Sequence, residues 1–167
     1  YAINEALKFV DQIATVNTVL LLSNTRVKLL GDELLNMAKK TATPIDQLTT
    51  SLYDLVSAGV EQKDAVKWLA DSDVLSRTAI GTLPEATDAI MASMRNFKDD
   101  YIDTADAANV LFKTIKYGKG TLSELAESYT KNAVAAGQAG IRGQEFNAAI
   151  AAMSLTTAPI SELENMI

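Results

Sequence analysis

The 167-residue chain contains no cysteine and no histidine. That absence excludes disulfides, thiol catalysis and serine–histidine triads, and with them zinc and iron–sulfur centres built on imidazole or thiolate ligands. Proline is scarce, at positions 44, 84 and 159 only, and aromatic residues make up 6% of the chain. Few prolines leave long stretches free to form helix, and few aromatics leave little for a sugar-binding platform. Long apolar runs are missing too. The longest are Val19-Leu20-Leu21-Leu22 and Ala148-Ala149-Ile150-Ala151-Ala152-Met153, far short of the roughly 20 residues that span a bilayer. Apart from Lys39-Lys40, the 15 basic residues are spread singly against 21 acidic ones, for a net charge of −6. No nucleic-acid binding is expected from such a surface, because a phosphate-tracking face needs clustered cations. With no leader pattern, a first residue of Tyr1 and an end at Met166-Ile167, the chain reads as a piece of a longer polypeptide.

What is present points to helix. Ile3, Leu7, Val10 and Ala14 repeat at spacings of 4, 3 and 4, and Val27, Leu30, Leu34 and Met37 at 3, 4 and 3, so each set marks one helical face. The two stripes are out of phase across Ser23-Asn24-Thr25-Arg26, which predicts either one long helix whose buried face rotates or two helices broken near Asn24. Four later segments pair a hydroxyl with an acid three residues on: Thr43 with Asp46, Thr82 with Glu85, Thr121 with Glu124 and Ser161 with Glu164. In that pattern the hydroxyl accepts from a first-turn amide and the acid reaches back. Gly59, Gly118 and Gly137 follow apolar runs, where left-handed helix ends are expected.

Together these signals predict helices near 3–39, 44–58, 62–78, 83–97, 105–117, 121–136 and 143–156, with a further start at 161. The fold class is all-α, a compact bundle of about seven or eight short-to-medium helices with a long first helix. The expected division is an N-terminal helix or helix pair over 1–40 and a single helical unit over 41–167. Leu48, Leu52, Leu55, Val66, Leu69, Ile90, Met94, Leu111, Ile115, Leu125, Phe146 and Ile150 are the expected core, and the alanines of 148–152 are expected to permit close helix approach.

Several groups could carry chemistry, and each has a plainer explanation. Asp99, Asp100, Asp103 and Asp106 are the densest acidic cluster but lack the glycine and distal glutamate of a calcium loop, so a solvated helix start is expected. Gly118-Lys119-Gly120-Thr121 lacks the spacing of a phosphate loop and follows no strand. It reads as a turn between helices. Glu124 with Glu127, or Glu162 with Glu164, could in principle serve glycoside hydrolysis, but nothing marks a cleft beside them. Trp68, Met91 and Met94 read as packing residues. No catalytic residue, cofactor or metal is expected.

The order of segments from Thr43 to Ile150 resembles the core domain of phage tail tape measure proteins. Residues 45–59 (IDQLTTSLYDLVSAG) are similar to that family's aliphatic helix ending in Ser-Ala-Gly, and 81–97 (GTLPEATDAIMASMRNF) to its Gly-Thr-initiated helix ending in an aromatic. Residues 108–125 (ANVLFKTIKYGKGTLSEL) carry the most specific likeness: a Leu-Phe-Lys-Thr helix, a Lys-x-Gly-Lys turn and a new helix opening with Thr. Asn109 departs from the more usual aspartate, and Gln138-Ala139-Gly140 lengthens the turn after Gly137.

The resemblance implies a structural protein of a phage or prophage tail, whose length sets the tail's length and which leaves through the tail tip when DNA is ejected. It implies a place in the tail lumen after synthesis in the bacterial cytoplasm. The implied partners are tail tube proteins, tail tip or baseplate proteins and tail assembly chaperones, with several copies per tail and host-envelope contact on ejection. The alternative reading is a helical adaptor, a partner-binding module without catalysis, that takes an amphipathic helix into a groove.

Overall fold

The computed structural model describes residues 2–156. It holds eight α-helices, α1 (Ala2–Leu20), α2 (Asn24–Thr41), α3 (Ile45–Ser57), α4 (Gln62–Thr78), α5 (Leu83–Asn96), α6 (Thr104–Tyr117), α7 (Leu122–Gln138) and α8 (Gly143–Ser154), with a 3-10 turn at Lys98–Asp100 and no strand among the described residues. The all-α expectation holds. The long first helix resolves into the pair. Leu21 takes a left-handed conformation (φ 52°), and the Asn17 carboxamide closes the end of α1 by accepting from the Leu22 amide at 2.7 Å. The helix start expected at Ser161 lies outside the described residues.

Contacts divide the chain into two compact units between Asp73 and Val74, within α4, and not at the 40/41 boundary read from the sequence. The first unit runs past that boundary because α1 packs along α3, with α2 against both. Its interior is built from Ile13 and Val16 of α1, Leu30 and Leu34 of α2, Leu48, Leu52 and Leu55 of α3, and Leu69 of α4. The stripe of α1 differs from the expected one: Leu7 and Val10 are 59% and 61% exposed, while Ile13 and Val16 are buried. α1 is apolar on more than one face, and its packing on α3 selects the other.

In the second unit α5 lies along α7, α6 along α8, and α5 joins α6 through the 3-10 turn. Leu83, Ile90, Phe97, Leu111, Leu122, Leu125, Tyr129, Phe146 and Ile150 are buried. Three rings meet at the centre: Tyr129 stands edge-on to Phe146 at 5.1 Å between centroids and to Phe97 at 6.1 Å. Of the expected core, Val66, Met94 and Ile115 are half-buried, and three of the four alanines at 148, 149, 151 and 152 are exposed rather than pressed between helices.

Two of the sequence-read helix starts form as expected. Thr82 accepts from the Glu85 amide while Glu85 accepts from the Thr82 amide, and Thr121 and Glu124 do the same. The Thr82 amide holds the Glu85 carboxyl below the usual range. The third does not. α3 begins after Pro44 with no side-chain cap: the Thr43 hydroxyl accepts from the Thr41 hydroxyl at 3.0 Å and donates to the Asp73 carboxylate, so both of its roles are spent away from the first-turn amides. Asp103 caps α6, accepting from the Asp106 amide at 3.0 Å.

The helix ends also correct the sequence reading. Gly59 is left-handed (φ 90°) as expected, but Gly118 is extended and the left-handed glycine after α7 is Gly140 (φ 77°), not Gly137. Gly137 matters for proximity, since a Cβ there would lie 3.0 Å from the Asn96 carbonyl oxygen. Ile80 takes the left-handed position after α4 (φ 53°) although it is β-branched. The Gly81 amide then closes onto the Ser76 carbonyl at 2.8 Å, the bond that ordinarily follows a glycine at Ile80's position.

Candidate interaction site

The second unit carries a groove of about 560 Å³ between α6 and α8, walled by Val110 and Tyr117 on one side and Ala148, Ala151, Ala152 and Leu155 on the other. Tyr117 and Leu155 are 65% and 54% exposed. Asp106, Lys113 and Gln144 rim it, so the opening is polar and the walls apolar. The alanines are what keep it open: larger side chains at those positions of α8 would fill it.

Beneath the groove lies a buried polar network centred on Asn147. Its Oδ1 accepts from the Thr114 hydroxyl at 2.8 Å. Its Nδ2 donates to the Gly143 carbonyl at 2.7 Å and to the Tyr129 hydroxyl, with the Tyr101 hydroxyl farther off at 3.3 Å. Thr114 also donates to the Val110 carbonyl at 2.9 Å. Burial pushes the Tyr129 and Tyr101 phenols upward, so both stay neutral hydroxyls at ordinary pH. Four segments therefore meet on one carboxamide: α6, α7, α8 and the stretch joining α5 to α6. Buried polar groups satisfied in this way set the relative positions of helices more sharply than apolar contacts do.

Both ends of α8 are held by close backbone approach. At its start the Gly143 amide donates to the Asp100 carboxylate at 2.6 Å, and a Cβ on Gly143 would come within 2.8 Å of the Tyr101 ring and 2.9 Å of Phe97 Cβ. At its end the Lys119 amide donates to the Ser154 hydroxyl at 3.0 Å, and a Cβ on Gly118 would meet that hydroxyl at 2.5 Å. Gly118-Lys119-Gly120-Thr121 is thus the stapled turn between α6 and α7.

The acidic cluster serves backbone amides. Asp100 holds Gly143, Asp103 caps α6 and Asp106 accepts from the Ile102 amide at 3.3 Å, while Asp99 is exposed. No group of three or more acids placed to hold a metal occurs among the described residues. Glu127 pairs with Lys131 at 2.8 Å one turn along α7, apart from the capping Glu124; Glu162 and Glu164 lie outside the described residues. Trp68, Met91 and Met94 are half-buried. No helix among the described residues is long and apolar enough to cross a membrane.

The fold is all-helical, and in the second unit Asn147, Thr114, Thr82, Thr121, Asp100 and Asp103 serve helix starts and helix register. The chain belongs to the phage-related minor tail protein family, whose model matches residues 31–165. The match spans α3 to α8 entire and most of α2. No curated protein and no solved structure matches the chain. Membership makes it a component of the phage tail, working among other tail proteins.

Proposed function

We propose that this chain is part of a tape measure protein, which sets tail length from within the tail lumen and leaves through the tail tip when DNA is ejected. The observation that carries the reading is the family match over 31–165. The ordered likeness of 45–59, 81–97 and 108–125 to tape measure core domains supports it, with 108–125 covering most of α6, its stapled turn and the start of α7. The domain's contribution is steric rather than catalytic: a folded block at one point on a helical ruler, contacting tail tube, tail tip or baseplate proteins and tail assembly chaperones.

An α-helix rises about 1.5 Å per residue, so the ruler's length follows from residue count. In-frame deletions within long helical segments of the parent polypeptide should shorten tails in proportion to the residues removed, as measured by electron microscopy of the particles. Tails of unchanged length would refute the reading and favour the adaptor, for which the α6–α8 groove supplies a seat.

A further inference from the structure

The first unit has an apolar face that none of the described residues covers, and it does not depend on the tape measure reading. α1 and α2 form a hairpin, with Phe9 packed 3.7 Å from the position a Cβ would take on Gly31. Between them runs an open groove of about 350 Å³, floored by Phe9, Ile13, Val27 and Gly31 and edged by Val10 and Ala14. Leu7, Val10 and Ala14, the stripe left outside by the packing of α1 on α3, are all exposed and keep the 3-and-4 spacing of an interhelical seam. A surface helix ordinarily needs one apolar face; α1 has a second.

We propose that this groove seats a second copy of the chain, two α1–α2 hairpins packing about a twofold axis as an antiparallel four-helix bundle. Charge and area both favour a copy of the same chain. Lys28 and Asp32 lie one turn apart on α2, and both line the groove. An axis passing between them sets each Lys28 against the partner copy's Asp32, so the charges complement themselves as an isologous contact requires. Helices of 19 and 18 residues are about 28 Å long, and two side by side present a face about 20 Å wide. That face projects to roughly 550 Å² per copy, or about 1,100 Å² for the pair, above the roughly 1,000 Å² of a specific interface.

Sedimentation equilibrium of the full chain over a concentration series tests this. The expected mass is that of a dimer. Lys28→Asp and Asp32→Lys should each weaken self-association about tenfold or more, since each sets like charges together, with the circular dichroism of the folded chain unchanged. Mixing the two variants should restore association, because every carboxylate of one copy then faces an ammonium of the other, and Val10→Asp should abolish it. A monomer up to about 0.1 mM, a mass of three or more copies, or failure of the mixed variants to recover would overturn the twofold pairing.

Discussion

Replacing Asn147 with leucine removes the polar centre of the α8 network while keeping the side chain's branching and heavy-atom count; its methyls are bulkier than the oxygen and nitrogen they replace, so any overpacking adds to the polar loss worked out here. Asn147 is 3% exposed and Tyr129 fully buried. The substitution deletes the bonds from Thr114 and to the Gly143 carbonyl and the Tyr129 hydroxyl. Thr114 keeps its bond to Val110, and the Gly143 carbonyl remains within the ladder of α8. The Tyr129 hydroxyl is the group left worst served, because its carboxamide donor is gone and it is fully buried. One lost bond contributes about 1 kcal/mol and an under-served buried hydroxyl about 1–2 more, for an expected loss of about 2–3 kcal/mol. Urea unfolding followed by circular dichroism should show it as a lower midpoint at unchanged slope. Adding Tyr129→Phe should then recover about 1 kcal/mol, because the stranded hydroxyl goes with it. A loss below about 0.5 kcal/mol, or no recovery in the double variant, would refute the assignment of Asn147 as the network's centre.

Two further outcomes follow from the helix ends. Ile80→Gly should stabilise the chain by about 0.5–1 kcal/mol in the same assay, since a 93% exposed β-branched residue loses little contact and its left-handed strain is relieved. A loss of stability would mean that Ile80 has a partner. Thr121→Ala should lower stability by about 1 kcal/mol by orphaning the Glu124 amide, whereas a change within noise would place the start of α7 elsewhere.

What can be read from the sequence is mostly local. The boxes at Thr82–Glu85 and Thr121–Glu124 need only four consecutive residues, and the Ser123 hydroxyl that also reaches Glu85 leaves its box intact. Thr43 carries the same pattern, but its hydroxyl is taken by Asp73, thirty residues away, and no short-range rule anticipates that. The exposed stripe of α1 misleads for a related reason: two apolar faces compete on one helix, and only the position of α3 decides between them. Gly137 resembles a helix end because glycine usually marks one, yet α7 continues to Gln138 and needs Gly137 for its approach to Asn96. The Asn147 network is the hardest to see, since its side-chain partners lie 18, 33 and 46 residues away. One signal is available: Gly143, Asn147, Ile150 and Ser154 share a face of α8, so small and polar residues fall where core is expected.

That α8 completes the network has a consequence for the order in which the unit can be made. α5, α6 and α7 leave the ribosome first, and wherever they pair as in the finished unit, Tyr101, Tyr129 and Thr114 face the space that α8 will occupy. Until residue 147 arrives, those hydroxyls have water where the carboxamide will be, and the interior between the helices cannot become dry. The unit is therefore completed by its carboxyl-terminal part, and a nascent chain halted before Asn147 would hold paired helices around a wet, unfinished centre.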